Sequence, residues 1–169
     1  MQKAIFLDRD GVINVDKSYV YQKESFEFCE GVFEALRHFQ TLGYRLVVVT
    51  NQSGIGRGYY SEEDFLILTE WMKDVLQREN IHLDAVYYCP HAPEMQCECR
   101  KPRSGMFEQA LSALDIDVKQ SWMIGDKQSD LQAALNIGIT ETILIGQTPC
   151  AEAKYCVNSL FDTIKMIQK

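Results

Sequence analysis

The chain has 169 residues, a formal net charge of −7 and 46% hydrophobic residues. This length fits one folded unit around one core, so we predict a single domain over residues 1–169. The acidic balance argues against broad nucleic-acid binding, and no apolar run approaches the roughly 20 residues that span a bilayer. The segment "MQKAIFLDRDG" lacks a secretory signal pattern, so we expect a cytoplasmic protein.

Short apolar runs with the length of β-strands recur along the chain. In order they are "KAIFL", "RLVVVT", "AVYYC", "SWMIG" and "ETILIG", and "RLVVVT" is typical of a strand buried on both faces. Helical patterns lie between them: "GVFEALRHFQTLG" ends at Gly43, and "SEEDFLILTEWMKDVLQREN" begins with Ser61 as N-cap and Asp64 three residues on. This alternation predicts an α/β fold, a parallel sheet with helices on both faces.

The second of these helices carries apolar side chains at helical spacing. We interpret them as a stripe that faces the core, not as a set of ligands. The predicted stripe consists of Phe65, Leu68, Met72, Val75 and Leu76.

Polar residues stand where three of the predicted strands end. Asp8 follows "KAIFL", Thr50 closes "RLVVVT", and Asp126 follows "SWMIG". In open α/β sheets, ligands bind beyond the carboxyl ends of the strands. We therefore expect these three residues to meet at one pocket.

The segment "YYCPHAPEMQCECRKP" concentrates potential metal ligands. Cys89, His91, Cys97 and Cys99 form a Cys₃His set that suits tetrahedral zinc, and a site filled by four protein ligands is structural. Disulfides are the alternative use of six cysteines, but they belong to secreted proteins. We predict a zinc loop over about residues 89–103, while Cys29, Cys150 and Cys156 are buried or incidental thiols.

Four segments carry phosphate chemistry when they are taken together. An isolated aspartate pair such as that in "FLDRDGVIN" is usually a polar turn, but here "VVVTNQSG", "RKP" and "IGDKQSD" follow it. In this order the segments resemble the four motifs of the haloacid dehalogenase superfamily of phosphohydrolases, over nearly the whole chain. The resemblance implies a Rossmann-like phosphatase domain. Since only about twenty residues separate Asp10 from the helix near Gly31, no cap domain fits.

The resemblance also implies the roles of individual residues. Asp8 is the expected nucleophile and Asp10 the general acid and base, with an aspartyl-phosphate intermediate. Thr50 and Lys101 are expected to stabilise the transferring phosphoryl group. Mg²⁺ is the expected catalytic cofactor, held by Asp8, the backbone carbonyl of Asp10, and Asp126.

Asp130 lies one helical turn beyond Asp126; it could bind the metal directly, but we favour a role one step removed, holding Lys127 or a metal-bound water. His38 and His82 lie away from the predicted pocket and are expected to be structural. Short loops must hold the substrate. The predicted substrate-binding residues are Asp16, Lys17, Ser18, Tyr19, Asn51, Gln52, Ser53, Arg57, Arg100 and Lys127.

The segments "TNQSGIGRG", "YYCPH" and "CECRKP" are similar to a branch with a zinc loop, whose members act on a heptose bisphosphate or on histidinol phosphate. The first activity serves nucleotide-activated heptose and lipopolysaccharide core synthesis, and the second serves histidine synthesis. The basic residues Arg57, Arg100 and Arg103 favour a second phosphate. We therefore expect a monomeric sugar bisphosphate phosphatase. Phosphatases of nucleic-acid ends and an inactive interaction module are weaker alternatives.

Overall fold

The computed structural model describes residues 1–169 and contains one six-stranded sheet in which every neighbouring pair of strands is parallel. The strand order is β3-β2-β1-β4-β5-β6. This arrangement confirms the predicted parallel sheet. The strands are β1 (Ala4–Leu7), β2 (Arg45–Asn51), β3 (Ala85–Cys89), β4 (Trp122–Gly125), β5 (Glu141–Ile145) and β6 (Tyr155–Val157).

Helices cover both faces of this sheet, as predicted. Helices α1 and α3 contribute to a cluster of 23 buried residues on one face, and α4 and α5 contribute to a cluster of 15 on the other. The helices are α1 (Val32–Thr41), α2 (Ser53–Gly56), α3 (Glu62–Arg78), α4 (Gly105–Ala113) and α5 (Gln128–Asn136). No helix is long and apolar enough to cross a membrane.

Helix α3 begins as its sequence predicts. Ser61 Oγ accepts a hydrogen bond from the backbone N–H of Asp64, and the Asp64 carboxylate accepts one from the N–H of Ser61. The predicted core stripe is correct except at one position. Val75 is only partly buried, whereas Thr69 is buried, so the buried stripe is rotated slightly about the helix axis from the predicted one.

The order of the strands explains where the site forms. From β1 the chain adds β2 and β3 on one side, then crosses to place β4, β5 and β6 on the other. The crevice beyond the carboxyl ends of β1 and β4 is therefore the switch point at which such sheets bind ligands. Residues 8–31 and 90–104 form loops with short 3₁₀ turns at Lys23–Ser25 and Pro93–Met95, so neither segment is a cap domain.

Candidate active site

Asp8 and Lys101 form a buried ion pair at the switch point. Asp8 Oδ1 accepts hydrogen bonds from its neighbour's backbone N–H at 2.9 Å and from Lys101 Nζ at 3.1 Å. Lys101 Nζ also donates to the Val49 carbonyl at 2.7 Å and lies 2.7 Å from Asp130 Oδ1. Burial lowers the pKa of Lys101, but the attraction of Asp130 and Asp8 outweighs burial and raises it above its ordinary value. Lys101 therefore stays charged.

Three carboxylates meet beside this lysine. One oxygen each from Asp8, Asp126 and Asp130 lies within 4.8 Å of the others, and Asp126 Oδ1 is buried without a hydrogen-bond partner. Burial, followed by the nearby Asp130 carboxylate, raises the pKa of Asp126 to about 6 and also raises that of Asp8. Such clustering fits a hard divalent cation, which would neutralise the repulsion and occupy the unpaired oxygen.

Gly11 makes room for this cluster. A side chain at Gly11 would place its Cβ 2.0 Å from Asp126 Oδ2, and the residue has a φ of 89°, which favours glycine. The glycine therefore allows the turn after β1 to pass directly against the carboxylate that follows β4.

The Asp130 carboxylate contacts both the backbone after β4 and the side chain of Lys101. Its Oδ2 accepts hydrogen bonds from the backbone N–H groups of Asp126 at 3.2 Å and Lys127 at 3.1 Å, while its Oδ1 pairs with Lys101. Of the roles considered from the sequence, contact with Lys127 is observed, but through the backbone. The link to Lys101 was missed, because spacing alone does not show which lysine enters the cluster.

Asp10 lies in a dense hydrogen-bond network. Its Oδ1 accepts from Arg9 Nη2 at 2.9 Å and Asn14 Nδ2 at 3.0 Å, and its Oδ2 accepts from Gln52 Nε2 at 3.1 Å. Tyr60 Oη in turn lies 2.5 Å from Gln52 Oε1. Burial raises the pKa of Tyr60 to about 12, so its hydroxyl stays protonated and donates to Gln52.

Thr50 differs from its predicted placement. The residue is fully buried and does not line the cavity; its hydroxyl accepts from Gln52 Nε2 at 2.9 Å. Asn51 instead braces the lysine: its Oδ1 accepts from the backbone N–H of Lys101 at 3.0 Å. The end of β2 therefore orients neighbouring groups, and in this structure the Thr50 hydroxyl does not reach the cavity.

A polar cavity of about 570 Å³ opens above these groups, and only two of its lining residues are hydrophobic. Three cations on its wall, Arg57, Arg100 and Lys127, form no ion pair with a carboxylate, in contrast to Lys101. The lining residues are Asp8, Asp10, Asp16, Ser18, Tyr19, Asn51, Gln52, Ser53, Arg57, Tyr60, Arg100, Lys101, Pro102, Lys127, Ser129 and Asp130.

Most of the predicted substrate-binding residues line this cavity, with one exception. Lys17 turns away and pairs with Glu27 at 3.4 Å. Arg103 is also absent from the wall, because it pairs with Glu98 at 3.7 Å and donates to the Cys97 carbonyl. Sequence reasoning missed Tyr60, Pro102 and Ser129, which carry no motif signal of their own.

The predicted zinc ligands come together at the end of β3. Their ligand atoms, the three Sγ and His91 Nδ1, all lie within 4.8 Å of one another, with Cys89 Sγ 3.4 Å from Cys97 Sγ and His91 Nδ1 3.2 Å from Cys99 Sγ. Burial raises the pKa of each of the three thiols, and the net shift is upward for Cys89 and Cys99, whereas hydrogen bonds, first from the Arg100 backbone, lower the pKa of Cys97 to about 6. Thiolates and an imidazole in this arrangement suit a soft or borderline cation such as zinc.

Helix α2 packs against the loop that carries the predicted zinc ligands and leads to Lys101. Gly56 N donates to the Pro90 carbonyl at 2.8 Å, and a Cβ at Gly56 would lie 2.6 Å from the Ala92 nitrogen. Helix α2 therefore packs backbone to backbone against the metal-ligand loop. The next residue, Arg57, thus lies at the boundary between this loop and the cavity.

The remaining cysteines and histidines lie outside both clusters. Cys29 and Cys150 are half-buried and Cys156 is exposed, so none is fully buried. His38 Nε2 contacts the Ile167 carbonyl at 2.6 Å and so holds the C-terminal segment, while the His82 side chain is largely exposed. No contact connects either histidine to the cavity.

The parallel sheet and the carboxylates at its switch point define a hydrolase of the haloacid dehalogenase type, and the HAD-hydrolase-like family model matches residues 98–157. The chain is 49% identical over 179 residues to the D-glycero-beta-D-manno-heptose-1,7-bisphosphate 7-phosphatase of Haemophilus ducreyi, covering 98% of each chain. It is also 51% identical over 145 residues to the D-glycero-alpha-D-manno-heptose-1,7-bisphosphate 7-phosphatase of Campylobacter jejuni, covering 86% of this chain and 83% of that one. The chain belongs to the heptose-1,7-bisphosphate 7-phosphatase family.

A solved structure agrees with this assignment. The D,D-heptose 1,7-bisphosphate phosphatase of B. bronchiseptica, complexed with magnesium and phosphate, has a TM-score of 0.87 to this chain at 29% identity, with 97% of each chain covered. The fold, the haloacid dehalogenase class and the phosphatase class predicted from the sequence are therefore confirmed.

Proposed function

We propose that this enzyme removes the C7 phosphate of D-glycero-D-manno-heptose 1,7-bisphosphate through an aspartyl-phosphate on Asp8. The arrangement of cationic groups around Asp8 is the main support for this activity. Asp8 lies 3.1 Å from the buried ammonium of Lys101, in a cavity that also presents the unpaired cations Arg57 and Arg100. One cationic group serves the transferring phosphoryl, and the others suit the phosphate that stays on the sugar.

The first half-reaction uses Asp8 as nucleophile. A carboxylate oxygen of Asp8 attacks the phosphorus of the C7 phosphate, the bond to the sugar oxygen breaks, and Asp10 gives its proton to that oxygen. Lys101 stabilises the negative charge of the transferring group, supported by the backbone N–H of Asn51. Heptose 1-phosphate leaves, and Asp10 is left as a carboxylate.

The second half-reaction restores the enzyme. Asp10 now accepts a proton from water, whose oxygen attacks the phosphorus, and the bond between phosphorus and Asp8 breaks. Inorganic phosphate leaves with Asp8 ionised and Asp10 protonated. The three hydrogen bonds that orient the Asp10 carboxylate at the cavity wall support its use in both half-reactions.

We assign Mg²⁺ to the carboxylate cluster as catalytic cofactor. Asp8, Asp126 and the backbone carbonyl of Asp10 would hold it, and the unpaired buried Oδ1 of Asp126 supports this donor set. The bound cation supplies charge neutralisation, which lets an anionic nucleophile approach an anionic phosphate. Asp130 is engaged by Lys101 and two backbone N–H groups, so we assign it to positioning.

We assign Zn²⁺ to Cys89, His91, Cys97 and Cys99 as a structural ion. Four protein ligands fill a tetrahedral site and leave no position for substrate. The ion would fix the loop that ends at Lys101, a segment too short to build its own core.

We also propose that residues 1–169 form a single domain and that the enzyme is a cytoplasmic monomer supplying heptose for lipopolysaccharide core synthesis.

A substrate comparison tests the proposed activity. We expect kcat/KM for the heptose bisphosphate to exceed that for heptose 7-phosphate and for histidinol phosphate, whose ammonium would be repelled by Arg57 and Arg100. Arg100→Ala and Arg57→Ala should lower kcat/KM for the bisphosphate far more than for the monophosphate. Arg37→Ala, which removes contacts with the Glu79 carboxylate and carbonyl and no contact with the cavity, is the matched control. A wild-type preference for histidinol phosphate would contradict the proposal.

A further inference from the structure

We infer that Gln52 and Tyr60 are positioning residues that reserve one oxygen of Asp10, Oδ2, for the proton moved in the reaction. The inference rests on the proposed phosphatase function, in which Asp10 is the general acid and base. Two hydrogen bonds connect the three side chains, from the Tyr60 hydroxyl to the Gln52 amide and from that amide to the Asp10 carboxylate.

The other oxygen of Asp10 has no capacity left. Oδ1 accepts from Arg9 Nη2 at 2.9 Å and from Asn14 Nδ2 at 3.0 Å, so two donors use its two lone pairs. The Arg9 side chain cannot turn away easily. It is 1% exposed, donates to the Val20 carbonyl at 2.7 Å, and lies between aromatic rings.

Oδ2 of Asp10 keeps one of its two lone pairs free. Oδ2 accepts one hydrogen bond in this structure, from Gln52 Nε2 at 3.1 Å, and a carboxylate oxygen offers two lone pairs. One lone pair therefore remains for the proton that passes to the leaving oxygen and is later taken from water. The geometry assigns the proton to Oδ2 of Asp10.

This assignment depends on which end of the Gln52 amide faces Asp10. A reversed amide would direct its oxygen at the carboxylate, where two acceptors repel. Tyr60 opposes that reversal, because its protonated hydroxyl donates to Gln52 Oε1 at 2.5 Å. Gln52 is only 3% exposed, so loss of this donor would leave its Oε1 poorly solvated.

The Tyr60 ring is itself held in place. It stacks on Tyr21 with ring centroids 5.1 Å apart and an interplanar angle of 5°. A Cβ on Gly54 would lie 2.2 Å from the Tyr60 ring, so the glycine lets the ring pack against helix α2. The hydroxyl direction is therefore set by packing, and it fixes the amide beyond it.

Oδ2 of Asp10 gives up its proton in the first half-reaction and regains one in the second. As an Asp8 oxygen bonds to phosphorus, the bond from phosphorus to the sugar oxygen breaks and its electron pair takes the proton from Asp10 Oδ2. In the second step water bonds to phosphorus and gives a proton back to Oδ2, while the bond to Asp8 breaks. Gln52 and Tyr60 gain and lose no proton, since they act only through orientation.

Two substrates with different leaving groups test the inference. A sugar alkoxide needs a proton from Asp10 as it leaves, whereas p-nitrophenolate leaves without one, and kcat/KM reports steps through phosphoryl transfer. For Tyr60→Phe and Gln52→Met we expect kcat/KM to fall about 10- to 100-fold with heptose bisphosphate, because general acid catalysis contributes factors of this order or larger. With p-nitrophenyl phosphate we expect a change of about twofold or less.

Tyr21→Phe is the matched control, since it keeps the stacked ring and its hydroxyl has no role in the network; both substrates should respond as in wild type. Circular dichroism checks that each variant is folded, and Gln52→Met keeps the test decisive if Tyr60→Phe does not fold. Equal losses on both substrates, or full activity on the sugar, would overturn the inference alone. A folded wild type that is inactive on both substrates would overturn the proposed function and the inference with it.

Discussion

Lys101 Nζ lies 2.7 Å from Asp130 Oδ1, and both side chains are 2% exposed or less. With Asp8 and the Val49 carbonyl as its other acceptors, the ammonium has a partner for each of its three N–H groups. Asp130 also accepts from two backbone N–H groups after β4. One carboxylate therefore links the lysine of the metal-ligand loop to the strand end that carries Asp126.

Asp130→Asn should misplace Lys101. We expect kcat to fall about 10- to 100-fold, since a donor aimed at the phosphoryl group is worth this much or more. The free energy of unfolding should fall by less than the about 3–5 kcal/mol typical of a broken buried pair, because repulsion among the three carboxylates is relieved. Steady-state kinetics and urea unfolding measure the two effects. Glu141→Gln, which breaks the exposed pair with Lys154, should change neither by much, and full kcat in Asp130→Asn would refute the role of this contact.

Loss of the zinc site should impair catalysis through Lys101. We expect Cys99→Ser to lose its metal and to lower kcat about 100-fold, since displacement of a catalytic group by about 1 Å has an effect of this size. The sheet should remain folded on its own core. Lys101→Ala should reproduce the loss of kcat with zinc retained, as measured by elemental analysis. A metal-free Cys99→Ser protein with full activity would show that the loop needs no ion.

The two metal sites should respond differently to chelators. A brief mild chelation should remove Mg²⁺ and stop turnover, and added Mg²⁺ should restore it, because oxygen ligands exchange readily. The thiolate site should retain about one zinc per chain through this treatment. Protein purified without chelators that contains no zinc would contradict the assignment of the Cys₃His cluster.

The carboxylate cluster should make the stability of the metal-free protein depend on pH. The folded-state pKa of Asp126 is raised to about 6, and that of Asp8 is also raised. Between about pH 4 and pH 6 the folded state therefore binds more protons than the unfolded state, so stability falls as pH rises through this window. Mg²⁺ should raise the Tm more at about pH 7.5 than at about pH 5, where protons compete for the oxygens. Asp126→Asn should reduce this difference, and equal Mg²⁺ shifts at both pH values in the wild type would contradict the assignment of Mg²⁺ to the carboxylate cluster.

The parts of the site that follow from periodicity were predictable from the sequence. Apolar runs located β1, β2 and β4, and the residues that end them reach one edge because parallel strands share a direction. The cluster of Cys89, His91, Cys97 and Cys99 was predictable from their spacing, since ligands this close in sequence can converge whatever the surrounding fold.

The parts that depend on rotamers and packing were not predictable. Thr50 stands at the expected strand end, yet its hydroxyl is taken up by Gln52, and Lys17 sits in the substrate loop but turns to Glu27. Tyr60 belongs to no motif and reaches the site only because helix α2 bends the chain back. Side-chain direction is decided by such neighbours, which are distant in sequence.

Acid quench of the turning-over enzyme, followed by peptide mass spectrometry, detects whether Asp8 carries phosphate as a covalent intermediate. Asp10→Asn with p-nitrophenyl phosphate should increase the signal, because this substrate forms the intermediate without a general acid and the variant lacks the base that hydrolyses it. We predict phosphate on the peptide that carries Asp8 in the wild type and in Asp10→Asn, with no phosphate and no turnover in Asp8→Asn. Substantial turnover by Asp8→Asn, or an Asp10→Asn peptide that never carries phosphate while the substrate is consumed, would contradict the mechanism.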